Sequence, residues 1–353
     1  MQGAGGDPPA PRQSRGGAPS GAASRQSRGG APFGARLADA VTARESQVVV
    51  GIDPDPARLW PAGVERTAEA RAELVRALEA AAGAAAAVGG APVEGAALGG
   101  ASAQHPAFDT AAAVLAHSLA LIDAAAPACV AAKPQLAFFE QLGFAGWLAL
   151  ERACAHAREA GLLVIADGKR GDIPSTAAAY ARALLTGGLE ADAATVNPLL
   201  GADALAPLAE GARAAGGGLF VLVRTSNPGA ADLMDLELAT GGPLWERLAA
   251  LVADAGGEGE GLADVGAVTG ATAPEHLGRM RELMPRAPFL LPGIGAQGGD
   301  VAALAPAFAP GRAGGLVTAS RSIVDAHERR GGDPAQAARA EAERLREQAW
   351  ALA

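Results

Sequence analysis

Lysine is nearly absent from this chain. Lys133 and Lys169 are the only lysines among 29 Lys and Arg residues in a sequence of 353. Surface charge of the ordinary kind is therefore carried by arginine, which stays protonated. The two ammonium groups are singled out as sites where a compact charge with a movable proton is wanted. Aromatic residues make up only 4% of the chain, so its core must be built from Ala, Leu and Val. Cys129 and Cys154 are the only cysteines. They lack metal-like spacing, which excludes a disulfide framework and a zinc site, and they read as small buried hydrophobes. His105, His117, His156, His276 and His327 form no HxH or HxxxH pair and read as surface or helix residues. Positive charge is short, with a net charge of -9. That argues against a nucleic-acid partner but leaves room for a locally positive pocket that takes a phosphate-bearing small molecule. No run approaches the ~20 apolar residues of a membrane helix. The start of the chain lacks the apolar centre of a secretory signal. The expectation is a soluble cytoplasmic protein with no membrane partner.

Two stretches are compositionally biased. Residues 1–35 are rich in Gly, Ala, Pro, Ser and Arg, and contain a duplication: Arg12–Ala22 reads RQSRGGAPSGA and Arg25–Ala35 reads RQSRGGAPFGA. Such a segment buries too little apolar surface to offset its ordering entropy, so a disordered tail is expected. Its Arg-rich, acid-poor character is also that of an organelle leader. Residues 80–106 are almost all Ala and Gly. A helix entering this stretch meets Gly89-Gly90 and Gly99-Gly100, which break it, so a mobile insertion is expected. The remainder, 36–353, reads as one catalytic domain.

Within that domain, short apolar runs alternate with Ala/Leu-rich helical segments. The runs are Gln47–Ile52, Cys129–Lys133, Leu162–Ala166, Ala193–Val196, Leu219–Val223, Val265–Thr269, Phe289–Leu291 and Gly315–Thr318. Each is apolar on both faces, as a buried parallel strand is. The segments Phe138–Ala160, Ala202–Ala215, Pro243–Ala255 and Asp300–Phe308 read as helices between them. Eight strands with intervening helices predict an α/β fold, a closed (β/α)8 TIM barrel. An open doubly wound sheet fits less well, because Gly51-Ile52-Asp53-Pro54 follows the first strand where a GxGxxG turn would be expected.

A barrel of this kind gathers the carboxyl ends of its strands on one face, and chemistry sits there. The sequence places Asp53 after strand 1, Lys133 at the end of strand 2, Asp167 and Lys169 after strand 3 and Asn197 after strand 4. Thr225 and Ser226 follow strand 5, Thr272 follows strand 6, and strand 8 ends at Ser320-Arg321. Asp167 and Lys169 are two apart and share a side in extended backbone, while Asp172 is free to return from the loop. An ammonium flanked by carboxylates suits general-acid chemistry. Alternating charges in one pocket suit a reaction that creates or removes negative charge. The Gly-rich run Pro292–Gly299, with Gln297, and Arg321 after strand 8 occupy the usual phosphate site of this fold.

Asp167–Thr176 (DGKRGDIPST) resembles the DxKxxDIxxT signature of orotidine 5′-phosphate decarboxylases. Gly51–Pro54 resembles that family's first-strand aspartate motif. Ala132–Glu140 (AKPQLAFFE), Arg224–Gly229, Val268–Thr272 and Leu291–Gly299 resemble segments of its type 2, bacterial subgroup, in the same order. The chain departs at Leu199, where the subgroup often has Tyr, and at Gly168, often Ala. The resemblance covers about residues 36–350 and implies conversion of orotidine 5′-monophosphate to UMP and CO2 with no cofactor and no metal. It implies Lys169 as proton donor to C6, Asp167 against the departing carboxylate, Lys133 bridging Asp167 and the ribose, and Asp53 on a ribose hydroxyl. Thr225 and Ser226 would face the pyrimidine and its carboxylate, and Gln297 and Arg321 would hold the phosphate. Asp172 and Thr176 would enter the partner subunit's site, which makes a homodimer. Two other readings stay open: a Mg²⁺-dependent sugar-phosphate lyase or decarboxylase sharing DxKxxD, whose members carry a carboxylate where this chain has Lys133, and a non-catalytic nucleotide-binding barrel.

Overall fold

The computed structural model describes residues 30–87, 106–295 and 297–353. Ala31–Ala353 forms one compact unit. Its eight parallel strands close into a barrel in sequence order. They are β1 (Val48–Ile52), β2 (Ala131–Pro134), β3 (Leu163–Arg170), β4 (Ala193–Val196), β5 (Gly218–Arg224), β6 (Val265–Thr269), β7 (Phe289–Pro292) and β8 (Gly315–Ala319). The expected strands are all present, with ends shifted by a residue or two except at β3, which runs four residues further.

Strand alternation explains why the runs read as apolar on both faces. Val49, Ala131, Ile165, Ala193, Phe220, Val268, Leu290 and Leu316 share one cluster inside the barrel. Their neighbours Val48, Val50, Ala132, Val164, Ala194, Leu219, Val221, Phe289 and Val317 belong to the second cluster, between sheet and helices. Successive residues thus serve two cores, with a period of two.

The helix Phe33–Arg44 closes the amino-terminal end of the barrel. Phe33 is 1% exposed, and its ring meets Phe220 edge-on at 6.0 Å. Arg36 pairs with Asp192 and donates to Gly216 O at 2.6 Å. Arg44 donates to Cys129 O at 2.6 Å and to Ala126 O at 2.5 Å. The boundary drawn at residue 35 therefore falls inside this helix. The expected disorder of 1–29 and the breaks at Gly89-Gly90 and Gly99-Gly100 lie outside the described residues. Residues 80–87 continue the helix Thr67–Ala87.

Three other expectations change. Phe138–Ala160 is two helices, Leu136–Glu140 and Gly143–Glu159, because Gly143 adopts φ +63°. Val301–Phe308 is a 3-10 helix carrying Pro306, a residue that cannot donate into an α-helical ladder. Pro106–Ala128 is long and apolar enough to cross a membrane, contrary to the reading of the sequence, but 72% of its most apolar window is buried inside the protein. It packs as a core helix of the outer layer, with Phe108, Leu115 and Ile122 in the core. Both cysteines are free and buried, and burial pushes each thiol up to about 12.

Candidate active site

One step above the apolar layer inside the barrel, the inward residues become polar. Two positions beyond Ala131, Ile165, Ala193 and Leu316 come Lys133, Asp167, Thr195 and Thr318, and all four line a cavity of about 380 Å³. Val268 and Leu290 belong both to the apolar layer and to the cavity wall. On β1 the corresponding residue is Gly51, because a Cβ there would lie 1.7 Å from Ser320 Oγ. Just past the end of that strand, at the next position of the same parity, comes Asp53, also in the cavity wall.

Asp167 is the hub. Lys133 Nζ donates to its Oδ2 at 2.6 Å and Lys169 Nζ to its Oδ1 at 2.6 Å. Thr195 Oγ1 donates to Oδ1 at 2.9 Å, and Gln135 Nε2 to Oδ2 at 3.3 Å. Burial alone would raise the Asp167 carboxyl. The charges of Lys133 and then Lys169 outweigh it and hold the group below the usual carboxylate range. Burial likewise works against the Lys133 ammonium, but Asp167 and then Asp53 overcome it and raise that group. The two lysines differ in access: the Lys133 side chain is 7% exposed and that of Lys169 43%. One ammonium is locked in the wall while the other reaches into the cavity.

Lys169 arrives by a different route from simple alternation. The β3–β4 register shifts between Ala166 and Arg170, and Lys169 itself has φ +48°. A side chain in this left-handed region is uncommon and costs about 1–2 kcal/mol. Its backbone N–H donates to Thr195 Oγ1 at 2.9 Å. Arg170 turns away from the cavity to pair with Glu140 and lies over the Tyr180 ring at 5.8 Å.

Asp53, Lys133, Asp167, Lys169, Thr225, Ser226, Gln297 and Arg321 all line the cavity. Asp172 and Thr176 do not. Asp172 Oδ1 instead accepts from Ile173 N at 2.7 Å, so it does not return to the site of its own chain. Asn197 is also outside, accepting from Leu199 N at 2.9 Å. Thr272 stands behind the wall, where its hydroxyl donates to Ser226 O at 2.9 Å and ties the loops after β5 and β6 together. The sequence reading assigned no role to Gln135, Thr195, Asn227 or Thr318, which also line the cavity. Thr195 and Thr318 share inward parity, each two residues beyond an apolar inner position, but only the strand register shows which parity faces inward.

The glycine-rich loop after β7 turns on Gly293, Gly295 and Gly298, with φ +110°, +73° and +90°. The amides of Gly295, Gly298 and Gly299 are used inside the loop, on Gly299 O, Gly295 O and Gly293 O. Gly293, Ile294, Gln297 and Arg321 line this end of the cavity. Among the described residues Arg321 makes no ion pair. Asp53 Oδ1 and Thr318 Oγ1 are buried without a hydrogen-bond partner among the described residues. The cavity thus offers a cationic rim, a charged cluster on β2 and β3, and unsatisfied polar atoms between them.

Comparison with known proteins agrees with this geometry. The model of the orotidine 5'-phosphate decarboxylase / HUMPS family matches residues 107–340. An orotidine 5'-phosphate decarboxylase of Deinococcus radiodurans is 50% identical over 212 residues, 59% of this chain and 75% of the relative. One from Halorubrum lacusprofundi is 41% identical over 297 residues, 83% of this chain and 87% of the relative. The solved structure of Leishmania donovani OMP decarboxylase superposes with a TM-score of 0.63 at 29% identity, covering 91% of this chain and 98% of that one. The chain belongs to the orotidine 5'-phosphate decarboxylase / HUMPS family.

Proposed function

We propose that this barrel decarboxylates orotidine 5′-monophosphate to UMP and CO2, as a carboxy-lyase of pyrimidine biosynthesis that needs no cofactor and no metal. The observation that carries the reading is the buried Asp167 held between two ammoniums, one of them open to the cavity. The phosphate goes to Gln297 and Arg321, a ribose hydroxyl to Asp53 and Lys133, and the pyrimidine with its carboxylate toward Thr225 and Ser226.

The substrate carboxylate then lies against ionised Asp167. The C6–carboxylate bond breaks, CO2 leaves, and the electron pair stays on C6 with no conjugated sink. The Lys169 ammonium faces that carbon. At about 4 Å and an effective dielectric of about 20, a unit pair interacts by about 4 kcal/mol, on the order of a thousandfold in rate. An N–H bond of Lys169 then breaks and its proton forms the C6–H bond of UMP. The neutral amine regains its proton from solvent, which its partial exposure permits. Lys133 keeps Asp167 ionised throughout, so the repulsion felt by the substrate carboxylate does not relax by protonation.

The protein acts as a soluble, cytoplasmic homodimer in which Asp172 and Thr176 enter the partner's cavity. Ile173, beside Asp172, and Leu199 and Leu200 support this, being 58%, 59% and 44% exposed. The two leucines lie just beyond Asn197, whose N–H donates to Arg170 O and which packs on Gly171. Large apolar side chains clustered at a rim are what a subunit contact covers. The Mg²⁺-dependent reading is disfavoured by Lys133, an ammonium in hydrogen-bonding contact with the carboxylate a cation would need.

The test is the fall in orotidine 5′-monophosphate absorbance on adding purified protein, with and without a chelator. Unchanged absorbance sinks the reading, and a chelator-sensitive rate revives the metal-dependent one. For the shared site, inactive Lys169→Ala and Asp172→Ala proteins should regain partial activity when mixed, since one site of the mixed dimer is intact. No recovery would place Asp172 outside the partner's cavity.

A further inference from the structure

We infer that Thr195 is a positioning residue for the proton donor: its hydroxyl holds the left-handed backbone of Lys169 and fixes the Asp167 oxygen that receives the Lys169 ammonium. The inference goes beyond the proposed function, and only its kinetic arm rests on that reading.

Thr195 is 1% exposed on β4, and the orientation of its hydroxyl is fully determined. The Lys169 backbone N–H, at 2.9 Å, can only donate, so Oγ1 accepts. Ionised Asp167, at 2.9 Å, can only accept, so the hydroxyl proton points to Oδ1. Lys169 Nζ donates to the same Oδ1 at 2.6 Å. The three contacts close a ring that begins at the backbone of Lys169 and returns to its own side chain. The ring is needed because the β3–β4 register shifts between Ala166 and Arg170, which takes the Lys169 N–H out of the regular ladder. A partly buried amide without a partner is unfavourable, and φ +48° adds backbone strain. Thr195 answers both at once. Without it, Lys169 can relax into ordinary extended backbone, which turns its side chain elsewhere.

Two measurements test this on the full-length protein. Because Lys133 and Lys169 are the only lysines, ¹⁵N-lysine labelling reports two lysine amides and nothing else. In Thr195→Val, exchange of the Lys169 amide should quicken by roughly fivefold or more, the factor for losing one net hydrogen bond. The Lys133 amide, in the β1–β2 ladder, should not change. An unchanged Lys169 amide overturns the inference whatever the enzyme's activity. The second measurement is kinetic. Thr195→Val should lower kcat on the order of a hundredfold, the scale of an ångström's misplacement of a reacting group, with KM moving no more than about threefold. Thr195→Ser, which keeps the hydroxyl, should recover most of the loss. Thr195→Ala replaces the valine variant if that protein does not fold. Near-normal kcat in Val and Ala, a loss in which KM rises as much as kcat falls, or failure of Ser to restore the rate overturns it. If the unaltered protein itself does not turn over orotidine 5′-monophosphate, the decarboxylase reading falls and the amide measurement still decides the role of Thr195.

Discussion

Replacing Lys169 by alanine separates the chemistry of this site from its stability. A positioned general acid contributes about 10²–10⁴-fold, and a preorganised charge beside the developing anion about 10²–10³-fold. Both effects belong to one ammonium, so Lys169→Ala should lower kcat by at least about 10⁴-fold. Stability should hardly move. The lost ion pair is 43% exposed on the lysine side, which puts it within about 1 kcal/mol after screening. Asp167 keeps its bonds from Lys133, Thr195 and Gln135. The backbone strain at φ +48° remains with Ala but not with Gly. Lys169→Gly regains about 1–2 kcal/mol of strain against about 0.5–1 kcal/mol of added chain entropy. For a domain of this size 1 kcal/mol is about 1–2 °C in Tm. Both variants should therefore melt within a few degrees of the parent, with Gly at or above Ala, while both are inactive. Absorbance kinetics and thermal melts check this. Turnover of Lys169→Ala within tenfold of the parent would falsify the assignment of the donor. A melting temperature that collapses together with activity would show that the residue is structural.

Asp167→Asn should behave oppositely, costing about 3–5 kcal/mol because it leaves the 7%-exposed Lys133 without its partner. Adding Lys133→Met should restore much of that stability but no activity, as denaturant titration of the single and double variants will show. His117, 3% exposed, accepts from Trp60 N at 3.0 Å, and burial lowers it to about 4. As pH falls, the unfolded chain takes up that proton first, so stability is full above about pH 6.5 and declines toward pH 4. The loss is up to about 2 kcal/mol by pH 5, and His117→Asn should flatten that limb of the melting curve. Arg321→Ala should raise KM for orotidine 5′-monophosphate by about 10–100-fold. It should leave turnover of the phosphate-free nucleoside unchanged, and equal losses on both substrates would remove Arg321 from the phosphate.

The barrel was legible because each strand serves two apolar layers, so runs such as Val48–Ile52 show no polar face to confuse with a surface strand. The charged site was legible because a lysine-poor chain keeps its only two lysines at strand ends. Thr195 was not: in AATV nothing says which residue faces inward until the register with β3 is known. Helix boundaries failed where one glycine decides, as at Gly143. The membrane-like length of Pro106–Ala128 was hidden by Asp109, His117 and Asp123, which interrupt the apolar run without lowering its mean hydropathy enough to matter. The tail boundary was missed for a simple reason. The duplicated segments differ only at Ser20 and Phe33, and Phe33 is the residue that enters the barrel.

The unequal access of the two lysines has a practical corollary. Apart from the amino terminus, Lys133 and Lys169 are the only primary amines in the chain, and only Lys169 presents its side chain to solvent. Acylating reagents, bifunctional crosslinkers and amine coupling to a sensor chip therefore converge on the mouth of the barrel. Labelling at a single internal site becomes a titration of working enzyme, and an occupant of the cavity shields it.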